Sequence, residues 1–275
     1  MPFRPKENRI LSALKKKGYA LGMFSNTASP MLIELLAYNE FDFYILDFEH
    51  SLVDLKDMAA CVRTADAAGI TSCVRVTKGE AEIITHAIET GVQGIMASHI
   101  NNVEDVRKLI DDTRYPPEGK GGICPFVRAV NYSMDDWEIY HRHTSENTMV
   151  IPLIESLEGI NNARSIFAEL KPGIDAVAFG IADFAHDISK DNSKVEWVNN
   201  QITEAIEELN ILSKEFNIPN IGMPWPECTP ENAAALIEKG TKIVMYQGDF
   251  IVFNRVCQEI VSGIKNTLES KARYL

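Results

Sequence analysis

Short apolar runs alternate with longer amphipathic stretches along the whole chain. Eight of the runs have the composition of strands, and most are apolar at nearly every position, which is typical of parallel strands covered on both faces. They occupy residues 20–25, 42–48, 72–76, 94–99, 149–155, 175–180, 220–225 and 242–247. The stretches between them predict helices. One of these opens with Ser29 and Pro30, a capping residue and a first position typical of a helix start.

This alternation of strands and helices predicts the fold. It favours a parallel sheet, and eight is the number of strands that closes a (β/α)₈ TIM barrel. An open, doubly wound sheet is the alternative. Because no linker or change in composition divides the chain, we expect a single barrel domain over residues 1–275. The longest irregular segment, residues 115–136, is long enough to predict a lid or an interface loop.

Composition narrows the class of protein and its partners. The net charge of −12 disfavours nucleic acid and anionic membranes as partners. No run approaches the ~18 apolar residues of a membrane helix, and the first residues lack the apolar core of a signal peptide. The five cysteines are scattered and form no C-x-x-C pair, so neither a disulfide framework nor a zinc ribbon is predicted. We therefore expect a protein of the reducing cytoplasm.

Ionisable residues follow several of the predicted strands at the point where each strand ends. They are Asp47, Glu49 and His50 after the second strand, Arg75 at the third, Glu155 after the fifth and Asp183 in the turn after the sixth. The carboxyl ends of barrel strands build the active site, so these side chains are predicted to share one rim. Each has a simpler alternative when taken alone, such as a capping carboxylate, a structural salt bridge or a surface histidine. Their common position favours an active site.

The residue types indicate what such a site would do. Glu155 and Asp183 follow adjacent predicted strands at the same level of the barrel. Two carboxylates placed in this way favour a hard divalent cation such as Mg²⁺ or Mn²⁺. Arg75 would place a fixed cation beside a substrate oxygen. Asp47 lies three residues before His50, close enough to orient its imidazole as a general base if the strand end curls.

Two further observations bear on ligands. His99, which ends the fourth strand, is a candidate pocket-lining residue. The chain contains no G-x-G-x-x-G motif, and the "GKGG" at residues 119–122 is not a P-loop because no Ser or Thr follows the lysine. Binding of a nicotinamide or flavin cofactor is therefore not predicted.

Five motifs, taken in order, resemble a known family. They are "FDFYILDFEHSLVD", "VRV", "RYPPEG", "IPLIES" and "GIADF", and they resemble the HpcH/HpaI aldolase/citrate lyase family of metal-dependent class II pyruvate aldolases. The similarity covers about residues 19–255. It implies a TIM barrel of the phosphoenolpyruvate/pyruvate type in a homo-oligomer, either a hexamer or another assembly of dimers that exchange the C-terminal helix.

The resemblance also implies an activity. It implies a carbon–carbon lyase that cleaves a 4-hydroxy-2-oxo acid to pyruvate and an aldehyde through a metal-bound pyruvate enolate. The same enolate used for condensation or for oxaloacetate decarboxylation is one alternative, and a barrel that binds without catalysis is another. The metal expected is Mg²⁺ or Mn²⁺, with Co²⁺ or Zn²⁺ as further candidates.

Roles can be carried over residue by residue. On this resemblance the metal ligands are Glu155 and Asp183, Arg75 stabilises the enolate, and His50 with Asp47 beside it handles the proton. No lysine Schiff base is required.

Further roles are expected for four positions. The resemblance implies that Glu89 reaches the histidine of a neighbouring subunit, and that the backbone N–H groups of Ala182 and Asp183 bind the pyruvate carboxylate. We expect Glu49 to lie just outside the metal ligands and to hydrogen-bond a metal-bound water.

The chain departs from the family pattern at two positions. Gly121 stands where relatives commonly have Arg, and Ile181 stands where they often have Pro. The first change alters the segment over residues 115–136, so the aldehyde partner is left open. Arg128 is a candidate to supply the missing charge.

Overall fold

The computed structural model describes residues 5–189 and 194–272. Eight parallel strands form a closed barrel in chain order, each hydrogen-bonded to the next and the eighth to the first. The predicted TIM barrel is therefore confirmed, and the open sheet is wrong. The ends of the expected domain, at residues 1 and 275, lie outside the described residues.

Strands and helices alternate as the apolar pattern predicts. The strands are β1 (Ala20–Ser25), β2 (Phe43–Asp47), β3 (Thr71–Thr77), β4 (Gly94–Ser98), β5 (Met149–Ile154), β6 (Val177–Phe179), β7 (Asn220–Gly222) and β8 (Ile243–Gly248). The helices are α1 (Arg9–Lys17), α2 (Pro30–Tyr38), α3 (Leu55–Ala68), α4 (Ala81–Thr90), α5 (Val103–Thr113), α6 (Trp137–Asn147), α7 (Leu157–Asn161), α8 (Ala163–Ala168), α9 (Ile181–Asp187), α10 (Asn200–Phe216), α11 (Pro230–Lys239) and α12 (Asp249–Ala272). Two 3₁₀ turns, Arg128–Val130 and Met134–Asp136, lie between α5 and α6.

The strands are buried because the barrel interior covers one face and the helices cover the other. Every residue of β2, β4 and β5 is buried. Phe43, Ile45 and Met96 belong to the core inside the barrel, whereas Tyr44 and Leu46 pack in the layer beneath the helices. The parallel register sets the last residue of β2 beside the third-from-last residue of β3. Strand ends therefore meet at one rim, as the site prediction requires.

Helix ends follow local backbone chemistry. Gly69 and Gly91 end α3 and α4 with φ values of 74° and 105°, a left-handed conformation that glycine adopts without steric cost. Ser29 takes the capping position of α2, but its side chain makes no capping hydrogen bond. The apolar pattern did not predict α1, which begins where Asn8 Oδ1 accepts hydrogen bonds from the N–H groups of Ile10 and Leu11.

The last helix, α12, is anchored at its first turn and uncovered beyond it. The buried Asp249 carboxylate accepts hydrogen bonds from Thr27 Oγ1 at 2.5 Å and from the Asn26 N–H at 3.1 Å. Farther along, large apolar side chains stand in solvent, with Phe253 70% exposed and Leu268 62% exposed. No described helix, α12 included, is long and apolar enough to cross a membrane.

A buried ion pair joins the end of α5 to the start of β5 and β6. The Asp175 carboxylate, which is fully buried, receives two hydrogen bonds from Arg114 Nη2 at 2.6 and 2.7 Å. It also accepts the backbone N–H groups of Val150 and Lys171 at 2.9 and 2.7 Å. Four hydrogen bonds from three donor nitrogens compensate for the cost of burying this charge.

Removing the charge of Asp175 should destabilise the barrel. Asp175→Asn removes the carboxylate closest to the buried Arg114 guanidinium and leaves, among the described residues, only Glu118 Oε2, 3.8 Å from Nε, and we expect the free energy of unfolding to fall by about 3–5 kcal/mol. Urea unfolding at pH 7 measures the change. Glu169→Gln is the matched control, since it breaks the pair with Arg107, a residue that is 60% exposed, and should cost less than about 1 kcal/mol. Equal costs for the two variants would contradict the prediction.

Candidate active site

The Asp47 carboxylate is fully buried at the end of β2 and accepts five hydrogen bonds. Arg75 donates two of them, from Nε to Oδ1 at 2.9 Å and from Nη2 to Oδ2 at 2.6 Å. Asn26 Nδ2 donates at 2.7 Å, and the backbone N–H groups of Glu49 and His50 donate at 3.1 and 3.3 Å. Burial opposes the ionisation of Asp47, but Arg75 and the backbone donors outweigh it and hold the pKa of this carboxyl below its ordinary value.

The structure corrects the predicted role of Asp47. Its carboxylate does not lie against the His50 imidazole, because the chain curls after β2 and brings the backbone N–H groups, rather than the ring, to the carboxylate. The ring is 61% exposed at the rim, and within the described ranges its charged neighbour is Glu49, with Nε2 and Oε2 3.8 Å apart.

Arg75 is held on two sides. Its guanidinium carbon lies 4.4 Å from the centroid of the Phe24 ring, and its Nε is also 3.4 Å from Glu49 Oε2. The side chain is only 11% exposed. The salt-bridge alternative is therefore realised with Asp47. Among the described residues Nη1 has no hydrogen-bond partner, so this nitrogen is available to a ligand.

Three ionisable side chains converge beside Arg75, and one ligand atom of each lies within 4.8 Å of the others. They are Glu49, His99 and Glu155, from the ends of β2, β4 and β5. Glu49 Oε1 accepts a hydrogen bond from Ser98 Oγ at 2.6 Å and lies 3.3 Å from His99 Nε2. His99 Nδ1 is 2.9 Å from Glu155 Oε1, and the His99 backbone N–H donates to the same oxygen at 2.7 Å.

Glu155 is the most perturbed carboxyl of this group. Burial raises its pKa to about 7; the charges of Asp183 and Glu49 add to the rise, while the His99 N–H and ring oppose it. Gly180 makes room for it, since a Cβ at that position would lie 2.7 Å from Glu155 Oε2. Two carboxylates and an imidazole nitrogen lie close together here, and this donor set fits a divalent cation.

Asp183 lies near this group but outside it. It is exposed in the first turn of α9, close enough for its charge to act on Glu155. The first hydrogen bond of α9 runs from the Phe184 N–H to the Gly180 carbonyl, so the N–H groups of Ala182 and Asp183 have no partner within the helix.

Glu89 lies far from the other predicted residues of its own chain. It is next to last in α4, which leads into the start of β4, whereas His50 follows the end of β2. Its side chain lies beside His86, with Oε2 and Nδ1 3.9 Å apart. Within one chain, then, Glu89 and His50 lie at opposite ends of the barrel.

The segment over residues 115–136 does not bring Arg128 to the site. Arg128 Nη2 donates to the Asp66 carboxylate at 2.5 Å, and Nη1 donates to the carbonyl of Thr90, the last residue of α4, at 2.7 Å. These contacts place its charge at the end of the barrel where the strands start. The suggestion that it replaces a charge at Gly121 in its own site is therefore wrong.

Known proteins resemble this chain along most of its length. Residues 20–249 match the family model described as HpcH/HpaI aldolase/citrate lyase. A 5-keto-4-deoxy-D-glucarate aldolase of Enterobacter sp. (strain 638) is 27% identical over 263 residues, which are 94% of this chain and 97% of that protein. A 2-dehydro-3,6-dideoxy-6-sulfogluconate aldolase of Pseudomonas putida is 25% identical over 253 residues, 92% and 95% of the two chains. The crystal structure of citrate synthase SbnG has the same fold, with a TM-score of 0.80 at 23% identity over 96% of this chain and 100% of that one.

The contribution of Asp47 to the free energy of unfolding should depend on pH. Because its pKa in the folded protein lies below the ordinary 3.8, its ionised form stabilises the fold above that pH, and this contribution is lost as the pH falls below it. Asp47→Asn should therefore lower the free energy of unfolding by about 3–5 kcal/mol at pH 7, and the gap from the wild type should narrow toward pH 3. Urea unfolding across this range measures the gap. A gap that stays constant would contradict the assignment.

Proposed function

The chain belongs to the HpcH/HpaI aldolase/citrate lyase family, and we propose that, as a carbon–carbon lyase of this family, it cleaves a 4-hydroxy-2-oxo acid into pyruvate and an aldehyde. The observation that carries the proposal is a continuous line of ionisable groups at the carboxyl end of the barrel. It runs through Asp47, Arg75, Glu49, His99 and Glu155, with neighbours 2.6–3.4 Å apart. Two related aldolases covered along nearly their whole length support the reaction class.

A divalent cation, Mg²⁺ or Mn²⁺ in the first instance, belongs to this proposal. Glu155 and Asp183 would hold it, the first buried in the barrel mouth and the second exposed on α9. When bound, the ion supplies Lewis acidity at the keto oxygen of the substrate. The backbone N–H groups of Ala182 and Asp183 would bind the carboxylate of the 2-oxo acid.

The protein's own groups then move the proton and stabilise the charge. His50, exposed at the rim, takes the proton of the substrate 4-hydroxyl. The C3–C4 bond breaks, its electron pair passes to the pyruvate enolate, and the aldehyde leaves. Arg75 faces the developing enolate charge with a guanidinium already fixed by Asp47, so little reorganisation is needed. A proton returned to C3 gives pyruvate.

Glu89 fits this scheme only if a second copy of the chain supplies it. Within one chain it lies at the other end of the barrel from His50. The proposal therefore includes a homo-oligomer, a hexamer or another assembly of dimers, in which α12 packs on a neighbouring barrel. The exposed apolar side chains of α12 support this. We further propose a cytoplasmic location, which agrees with five free cysteines.

Other uses of the same enolate are the main alternative. Condensation or oxaloacetate decarboxylation would need the same Arg75 and carboxylates, and citrate synthase SbnG shares the fold. A binding barrel without catalysis is less well supported, because it gives no reason to bury Glu155 against a second carboxylate.

Proton exchange at C3 of pyruvate tests enolate formation directly. In D₂O with Mn²⁺ or Mg²⁺, we expect the protein to incorporate deuterium into pyruvate, read by mass spectrometry, and EDTA to stop it. Glu155→Ala should slow the exchange by about 10²–10³-fold, as for loss of a major charge-stabilising group. Glu158→Ala is the matched control, since it removes an exposed carboxylate three residues away.

The same assay separates the alternatives. No exchange with either ion would leave only the binding barrel. If exchange occurs, release of pyruvate from a set of 4-hydroxy-2-oxo acids, followed through lactate dehydrogenase, distinguishes cleavage from condensation. Pyruvate formed from oxaloacetate alone would favour decarboxylation.

The assembly can be tested on α12. We expect the wild type to be oligomeric by light scattering coupled to size exclusion. Phe253→Glu should shift it to smaller species, because a charge on the apolar face opposes burial. Gln258→Glu adds the same charge at an exposed polar position of the helix and should leave the mass unchanged. A wild type that is monomeric would contradict the proposed exchange.

A further inference from the structure

The His99 imidazole lies between two carboxylates, and each of its nitrogens faces one of them. Nδ1 is 2.9 Å from Glu155 Oε1, and Nε2 is 3.3 Å from Glu49 Oε1. A ring turned over about its Cβ–Cγ bond would present carbon atoms to both carboxylates. The two contacts therefore fix which nitrogen faces which group.

The backbone contributes to this placement. His99 has φ 58°, a left-handed conformation that few residues other than Gly and Asn adopt without cost. In this conformation its backbone N–H reaches Glu155 Oε1 at 2.7 Å, next to the ring contact. Main chain and side chain of one residue thus converge on the carboxylate to which the metal was assigned.

Glu49 is fixed independently of the imidazole. It is nearly buried, Ser98 Oγ donates to its Oε1 at 2.6 Å, and Arg75 Nε lies 3.4 Å from its Oε2. A carboxylate held in this way can accept a hydrogen bond from Nε2–H, and the tautomer with its proton on Nε2 leaves the lone pair of Nδ1 pointing at Glu155. Histidines that bind metals are commonly oriented by a carboxylate on their other nitrogen.

From this geometry we infer that His99 is a third protein ligand of the divalent ion, bound through Nδ1, and that Glu49 holds its Nε2–H. The inference rests on the proposed function in that it requires an ion beside Glu155. The spacing agrees, because two ligand atoms each about 2.1 Å from an ion and at right angles to one another are about 3 Å apart. The role expected for Glu49 changes accordingly, from a partner of bound water to a residue that positions His99.

A nitrogen ligand alters which ions the site favours. Oxygen donors alone suit Mg²⁺, whereas imidazole strengthens the binding of Co²⁺ and Zn²⁺ relative to Mg²⁺. With His99 coordinated, the site therefore discriminates between these ions. Loss of the imidazole should remove most of this discrimination and leave the carboxylates to bind Mg²⁺.

Pulsed EPR of the full-length protein with Mn²⁺ as the only added ligand tests the assignment without any turnover. We expect a directly bonded ¹⁴N coupling in the wild type and none in His99→Asn, a substitution chosen because Asn tolerates the left-handed backbone. His86→Asn is the matched control, a half-exposed histidine on α4 that should leave the coupling intact. Absence of the nitrogen signal in the wild type, with Mn²⁺ bound, would overturn the inference whether or not the variant folds.

Calorimetric titration of the metal-stripped protein measures ion preference. His99→Asn should weaken Co²⁺ binding by about 10–100-fold with a much smaller change for Mg²⁺ binding, and Glu49→Gln should also weaken Co²⁺ binding.

A nitrogen signal in the EPR experiment that survives His99→Asn and disappears in His50→Asn would assign the ligand to His50 and overturn the inference. Glu155→Ala separates the two proposals: if it abolishes binding while His99→Asn has no effect, the metal site stands and the third ligand fails. A wild type that binds none of the ions contradicts both.

Discussion

The site depends on one buried carboxylate that must be fully satisfied. Asp47 lies at the end of a strand whose every residue is buried, where an unpaired charge would cost several kcal/mol. Two donors of Arg75, one of Asn26 and two backbone N–H groups meet that need. In doing so they fix the arginine and shape the turn that carries Glu49 and His50. The positions of these donors at the mouth of the barrel therefore follow largely from the hydrogen bonds that the buried Asp47 carboxylate requires.

Most of the fold could be predicted because buried strands have a simple apolar pattern in the sequence. Strands covered on both faces are apolar throughout, and all eight were predicted within a few residues of their observed limits. Gly69 and Gly91 lie at two helix ends, in a left-handed backbone conformation that glycine adopts without steric cost. Three helices escaped prediction: α1, α6 and α9. Asn8 starts α1 through a side-chain cap, α6 buries Tyr140 alone and so shows no apolar face, and α9 has too few residues to show a period.

The sequence predicted at which end of the barrel the site residues lie, but not which of their side chains contact one another. The barrel rule puts the ends of β2, β3, β5 and β6 at one rim, and this follows from strand count alone. Which side chains touch is a different matter. His99 and Glu155 are 56 residues apart in the sequence. Their contact arises when β4 and β5 pair, and the residues next to either one do not indicate it. Similarly, spacing placed Asp47 near His50 but could not show that the backbone N–H, rather than the ring, would meet the carboxylate.

Asn26 connects the first turn of α12 with the carboxylate at the end of β2. Its backbone N–H is a donor to Asp249, which roots α12, while its side-chain amide is a donor to Asp47. The helix through which chains would associate and the arginine that would face the enolate are thus joined by a path of three short side chains. A substitution at Asn26 would therefore affect both the first turn of α12 and the carboxylate that holds Arg75.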